Sequence, residues 1–206
     1  MCIRDRASSD ITVTLASTGT ATDGTDYSAV NGTTITISAG ATTGTQTFTM
    51  TDDSVYEGNE SIIIAISSVS SGAYENGDQS INFRIDENES VPAITLATSA
   101  SSLAENSSTT VTLTATSSIA ASEDITVTLA TTGTGTSGTD YSTVNATTIT
   151  ISAGATTGTK TFTMTDDSVY EGDETIIVAI SAVTGSSALE SGTQSVTTTI
   201  TENDSA

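Results

Sequence analysis

The sequence predicts an all-β protein built from tandem immunoglobulin-like antiparallel β-sandwich modules, about seven strands each. Three observations lead there: an internal repeat of about 115 residues, short runs in which apolar residues alternate with Thr or Ser, and Gly-containing segments between those runs. The repeat comes first, because a repeated unit sets the domain period. Residues 11–67 align without gaps to residues 125–181 at an offset of 114, with 48 identities in 57 positions. The match resumes with a one-residue shift that pairs Gln79 with Gln194 and Ile85 with Ile200. Alternation with a period of two gives a strand with one face in a core and one in water. The β-branched residues Thr, Val and Ile suit such a pleated surface.

In the second copy the predicted strands are 94–97, 109–116, 124–130, 147–152, 159–165, 175–182 and 194–201. Turns such as Ser152-Ala153-Gly154-Ala155-Thr156-Thr157-Gly158 separate them. Short strands at this spacing indicate a two-sheet sandwich. The expected division is a non-native leader over 1–9, a first module over 10–90 and a complete module over 91–206. The segment 92–123 has no counterpart upstream of Asp10, so the first module is expected to lack its two leading strands and to fold poorly alone. Residues 1–6, Met-Cys-Ile-Arg-Asp-Arg, match nothing that follows and hold the only Cys and half of the basic residues. They read as a translated sequencing adapter on an environmental fragment.

Composition excludes several functions. The chain carries 25 acidic and 4 basic residues, a formal charge of -21. Such a balance opposes binding to nucleic acid or to an anionic membrane, both polyanions, and favours cations. No apolar stretch is long enough for a membrane helix. With no His and a single doubtful Cys, the usual nucleophilic triads are ruled out. Paired carboxylates can hydrolyse glycosides, but the acids here fall in loops with no aromatic platform for a sugar, so no enzyme is expected. With residues 1–6 set aside as an adapter no Cys remains, and an acidic, Thr-rich chain without Cys suits a bacterial protein outside the cell or on its surface, stabilised by metal rather than disulfides.

The acids are not evenly spread. If each connection reverses direction, those after the first, third, fifth and seventh strands share one end of the sandwich. Nine of the 12 acids from Val91 onward follow those strands: Glu105, Asp140, Asp166, Asp167, Glu171, Asp173, Glu174, Glu202 and Asp204. Two carboxylates about 5 Å apart repel by roughly 3 kcal/mol at an effective dielectric near 20. Several such pairs would rival the stability of a domain. A hard cation removes the conflict, and Ca²⁺ accepts 6–8 oxygens in flexible geometry where Mg²⁺ requires a tighter octahedron. Transition metals ordinarily want His or Cys.

Three stretches carry a resemblance: Gly138-Thr139-Asp140-Tyr141, the loop Asp166-Asp167-Ser168-Val169-Tyr170-Glu171-Gly172-Asp173-Glu174, and the closing Ile200-Thr201-Glu202-Asn203-Asp204. In order and spacing the chain resembles the Calx-beta family, a calcium-binding repeat of sodium–calcium exchangers and of bacterial surface proteins. The resemblance implies Ca²⁺ ligands at Glu105, Asp140, Asp166, Asp167, the Val169 carbonyl, Glu171, Glu174, Glu202, Asn203 and Asp204. In the first module it implies Asp26, Asp52, Asp53, Val55, Glu57, Glu60, Glu87, Asn88 and Glu89. Ser168 and Ser54 stand where many members have a third Asp, which implies fewer ions or weaker binding. Tyr27 and Tyr141 are expected to anchor the loop, Phe48 and Phe162 to lie in the core, and Lys160 and Arg84 to be isolated surface charges.

The function expected is a calcium-binding structural or adhesive repeat of a large extracellular protein. Ca²⁺ at the acidic end would stiffen the linker to the next module. The partners expected are calcium ions, neighbouring repeats of the same chain and surface glycans or proteins. The alternatives are a calcium-stabilised recognition module or a calcium sensor of a membrane protein.

Overall fold

The computed structural model describes residues 7–70, 72–144 and 146–205; residues 1–6 of the expected leader lie outside them. Among the described residues all regular structure is β, as the alternation predicts, in two compact units. The first comprises residues 1–53 and 58–88, the second residues 54–57 and 89–206.

In the first unit β1 (Ile11–Gly19), β2 (Thr34–Ile37), β4 (Glu60–Val69) and β5 (Ser80–Ile85) form one antiparallel sheet in the order β2-β1-β4-β5. The short β3 (Val55–Tyr56) belongs to the 54–57 stretch that groups with the second unit. Val13, Leu15, Ile62 and Ile64 are the buried positions of β1 and β4, and they cluster with Tyr27 and Val30. Phe48 is only partly buried against that cluster, with its ring edge-on to Phe83 at 5.3 Å between centroids.

The second unit is a full sandwich. Its strands are β6 (Ala93–Thr98), β7 (Ser102–Ala104), β8 (Val111–Ser117), β9 (Ala120–Ala121), β10 (Ile125–Gly133), β11 (Thr148–Ile151), β12 (Thr157–Phe162), β13 (Glu174–Thr184), β14 (Leu189–Glu190) and β15 (Ser195–Thr201). One sheet runs β11-β10-β13-β15-β7, the other β12-β8-β6-β14. The seven long strands match those expected, while β7, β9 and β14 are short additions. Ile94, Leu96, Val111, Leu113 and Ala115 from one sheet meet Val127, Leu129, Ile149, Ile176, Val178 and Ile200 from the other in one core. Burial alternates along β10, with Ile125, Val127 and Leu129 inward, because successive side chains point to opposite faces.

Two features refine the sequence reading. The connection between β6 and β8, expected to be a loop, contains β7, which leaves the β6 sheet and pairs in parallel with β15. Both repeats also carry a register shift at the same place, between Thr14 and Leu15 in β1 and between Thr128 and Leu129 in β10. A bulge inserts one residue and bends the strand. Each bulged strand then ends at a glycine with positive φ, Gly19 at 128° and Gly133 at 121°. A Cβ at Gly133 would lie 2.1 Å from the Thr175 carbonyl oxygen, and one at Gly19 the same distance from that of Ser61. Only glycine lets the chain leave the sheet there and enter the loop that carries Asp140 or Asp26.

Candidate metal centre

Four connections deliver the acids of the second unit to one place. The parallel register of β15 with β7 aligns Thr201 with Ala104. Glu202 and Glu105 therefore leave adjacent strands side by side, and the Glu105 amide donates to the Thr201 carbonyl at 3.0 Å. The β10–β11 loop is pinned by an antiparallel bridge between Tyr141 and Met164, and the Thr165 amide donates to the Asp140 carbonyl at 2.9 Å. That places Asp140 beside the start of the β12–β13 loop, with Asp166 and Asp167. Tyr141 is buried edge-on to Phe162, 6.0 Å between centroids, and so anchors the loop as expected. Glu174 opens β13 opposite Ile200.

The carboxylates form a connected set. Oxygens of Glu105, Glu202 and Asp204 lie within 4.8 Å of one another, as do those of Glu105, Asp167 and Glu171, and those of Asp140, Glu171 and Glu174. Glu105 and Glu171 each belong to two of these groups, so seven acids make one chain of neighbours. Asp140 and Glu105 are the deepest, 4% and 5% exposed. One Asp140 oxygen accepts the Thr136 amide at 2.5 Å.

Burial and crowding together disfavour the charged forms of these acids. Burial first, then its hydrogen bond with Asp140, holds Glu174 up to about 7. Glu105 is raised mainly by burial and next by Glu202. Glu171 is raised chiefly by the Asp140 charge. Asp204 is raised by burial and by Glu202, Asp166 and Asp167, and its Oδ2 is buried with no hydrogen-bond partner among the described residues. A buried carboxylate oxygen without a donor is costly. A cation would satisfy it. The set offers oxygens and neither imidazole nor thiolate, which fits a hard ion of the Ca²⁺ type.

Glu202 behaves differently from its neighbours. Its Oε2 accepts the Glu171 and Gly172 amides at 2.7 and 2.8 Å. Its Oε1 accepts those of Asn203 and Asp204 at 2.8 and 2.7 Å. Backbone donors, led by those of Asp204 and Glu171, lower its pKa to about 2. Glu202 thus organises the β12–β13 loop as well as charging it. Asn203 bridges: its Oδ1 accepts the Asn106 amide at 3.2 Å, and its Nδ2 donates to Asp166 at 3.4 Å. The Val169 amide donates to Asp167 at 2.7 Å. The acids at other places have local roles, as where Asp124 accepts the Ala153 amide at 2.8 Å.

The first unit repeats part of this frame. Asp26 is buried, and its carboxylate accepts the Thr22 amide and lies within 4.8 Å of that of Glu60. Glu87 accepts the Gly58 amide at 2.5 Å and that of Asn88 at 3.0 Å, and Asn88 donates to Asp52 at 3.0 Å. Asp53 is exposed, and Glu89 is grouped with the second unit. Val55 and Glu57 lie in the stretch grouped with the second unit. No described residue of the first unit stands where Glu105 does. One residue outside the expected set matters in both copies: Asp173 accepts the Glu202 amide at 3.0 Å, and Asn59 accepts that of Glu87 at 2.9 Å. The exchange of Asp for Asn at matched repeat positions was the available signal, since both side chains offer an oxygen at δ1. Arg84, expected to be isolated, pairs with Asp86 at 2.6 Å, both well exposed.

No curated protein matches the chain. Among solved structures, the apo form of the Calx CBD1 domain is 20% identical and matches at a TM-score of 0.44, covering 54% of this chain and 99% of that one. CBD12 from CALX1.2 is 14% identical at a TM-score of 0.43, covering 94% of this chain and 88% of that one. The calcium binding domain CBD12 of CALX1.1 is 14% identical at 0.39, covering 93% and 87%. The model of the Calx-beta domain matches residues 2–83 and 86–204, nearly the whole chain, and the chain therefore belongs to the Calx-beta domain family.

Proposed function

We propose that this chain is a non-catalytic calcium-binding repeat of a larger extracellular or cell-surface protein. Ca²⁺ would bind the acidic end of each module and stiffen the connection over residues 86–92. The observation that carries this reading is the orphaned, buried Oδ2 of Asp204 within a chain of seven neighbouring carboxylates. When bound, the ion supplies positive charge and satisfies oxygens that protons otherwise share.

Each residue contributes in its own way. Glu105, Asp140, Glu171, Glu174 and Asp204 are the crowded acids that a cation relieves. Asp166 and Asp167 add charge from the loop, where Asp167 also fixes the turn at Val169. Glu202 holds the loop through the Glu171 and Gly172 amides, accepts those of Asn203 and Asp204 as well, and keeps its charge throughout the physiological range. In the first module Asp26, Asp52, Asp53, Val55, Glu57, Glu60, Glu87, Asn88 and Glu89 fill the matching places. Glu87 to Glu89 lie in the connection itself, so charge neutralisation there restricts the hinge. Outside cells calcium is near millimolar, and dissociation constants of about 10⁻⁴–10⁻³ M serve that setting.

Thermal unfolding in chelator, in Mg²⁺ and in Ca²⁺ tests the reading. A site at 100 times its dissociation constant adds about 2.7 kcal/mol, a shift of several degrees in a domain of this size. The expected result is a rise with Ca²⁺ well beyond that with Mg²⁺, abolished by Asp140→Ala. Coincident curves in all three buffers would leave a plain β-sandwich spacer.

A further inference from the structure

An asparagine side chain is most open to attack by its own main chain where glycine follows, because a residue without a Cβ leaves its amide nitrogen unshielded. Asn-Gly occurs twice here, at Asn31-Gly32 and Asn76-Gly77. All four residues are exposed, and both glycines have positive φ, 75° and 73°. The two places differ in the amide that would attack. The Gly32 amide donates to the Leu15 carbonyl at 2.9 Å, and the Asp23 carboxylate accepts the Val30 and Asn31 amides at 2.8 and 3.1 Å. The Gly77 amide donates to no described residue.

Gly77 stands in the turn between β4 and β5. The Gln79 amide donates to Glu75 at 2.7 Å, and its Nε2 donates to the Asn76 carbonyl at 2.9 Å. The second unit builds the same turn over residues 190–194. There the Gln194 amide donates to Glu190, its Nε2 donates to the Ser191 carbonyl at 2.5 Å, and Gly192 has a φ of 69°. In that unit β6 and β8 are in place in the core. Ser191 and Gly192 are exposed all the same, and the Gly192 amide donates to no described residue. The openness of this turn is therefore a property of the turn and not of what covers the sheet.

We propose that Asn76 is a modification site, at which the chain converts its own asparagine to aspartate and isoaspartate with water as the one co-reactant. The Gly77 amide nitrogen gives up its proton and attacks Asn76 Cγ. A bond forms between that nitrogen and Cγ, the bond from Cγ to Nδ2 breaks, and the side-chain nitrogen leaves with the proton as ammonia. The five-membered imide then takes up one water. Opening at Cγ gives aspartate. Opening at the main-chain carbonyl gives isoaspartate, in which the chain runs through the side-chain carbon. Either product places a new carboxylate between Glu75 and Asp78. Isoaspartate also adds a methylene to the main chain inside the span that Gln79 closes. Asn31 is held back, because its cyclisation requires the Gly32 amide to leave the Leu15 carbonyl first. The second unit has Ser191 at the matched place and no amide to lose.

Incubation of the full chain in warm, mildly alkaline buffer, with and without urea, tests this. Tandem mass spectrometry follows the loss of ammonia and gain of water at each asparagine and separates aspartate from isoaspartate. Without urea, Asn76 is expected to convert at least about tenfold faster than Asn31, since local opening must precede reaction at Asn31 alone. In urea the two rates should converge. Asn76→Ser, which copies Ser191, should remove the fast conversion and leave the slow one. Equal rates without urea, or a difference that persists undiminished in urea, overturns the proposal. So does a rate at Asn76 that rises at least about tenfold in urea, which would mean that the folded turn protects it. Aspartate as the sole product would assign the loss to direct hydrolysis of the side chain and overturn the cyclic step. None of these readouts depends on calcium.

Discussion

Residues 41–49 and 155–163 differ only at Gln46 and Lys160, yet the second stretch holds a six-residue strand and the first holds none. The difference lies in what is beside them. β12 pairs with β8 along its whole length, and the first unit offers no strand at that edge among the described residues. Burial follows the same division: Met164 is 8% exposed and Met50 48%, and Ile149 is fully buried while Ile35 is partly covered. An edge segment of Thr and Gly has little reason to stay extended until its backbone groups find partners. Strand propensity at this place is a property of the neighbour.

The largest effect is expected from supplying that neighbour in cis. Grafting a copy of residues 91–123 ahead of Asp10 should turn residues 43–48 into a strand. It should also raise the unfolding temperature of the first unit by at least about 10 °C, because each large apolar side chain newly buried contributes roughly 1.5–3 kcal/mol. Calorimetry and amide exchange would show it, and an unchanged first transition would break the comparison.

Next come the two bulge-end glycines. Gly133→Ala places a Cβ 2.1 Å from the Thr175 carbonyl oxygen at a φ of 121°, for an expected loss of about 3 kcal/mol by denaturant unfolding. Gly19→Ala should cost the first unit a similar amount, since its geometry is the same. Unequal losses would mean that the repeats differ locally as well as in what covers them.

The pH response of the cation-free second unit is a finer test. Glu174, with its pKa raised from 4.5 to about 7, keeps a proton in the folded chain that the unfolded chain has lost. Its contribution is therefore full below about 4.5 and declines as pH rises through about 7. Glu202, lowered to about 2, has the opposite sign: its contribution is present above about 4.5 and lost as pH falls toward 2. In chelator, melting temperature should decline from pH 5 to pH 8. Ca²⁺ should restore it most at pH 8, where protons no longer compete at Glu174. A flat profile in chelator would show that the seven acids do not crowd one another.

The smallest effect is expected at Asp173. Asp173→Asn keeps the oxygen that accepts the Glu202 amide and copies Asn59, so it should change stability by less than about 0.5 kcal/mol. Asp173→Ala removes the acceptor and should cost about 1 kcal/mol. Equal effects of the two changes would assign Asp173 a charge role instead.

Much was legible before any coordinates. Alternation of β-branched and polar residues marked the seven long strands, because a half-buried strand has a side-chain period of two. The matched loops marked where the acids would gather, because antiparallel connections return to the same end. The short strand β7 was not legible: Ser102–Ala104 is too brief to show a period, and its parallel pairing with β15 joins residues nearly 100 apart in the chain. The organising role of Glu202 was hidden for a similar reason. By residue type it is one more acid, and only folding brings the amides of residues 171 and 172 to its carboxylate.

By itself the sequence determined the repeat, the all-β class, the pattern of inward residues and the clustering of acids on one set of connections. All of these are local periodicities or counts along the chain. Tertiary structure decided which acids touch, that Asp204 keeps a buried oxygen without a donor among the described residues, and that the same Thr-Gly-Thr run is a strand in one unit and none in the other. Those outcomes depend on which backbone and side-chain groups from distant segments arrive beside them, and no local pattern carries that information.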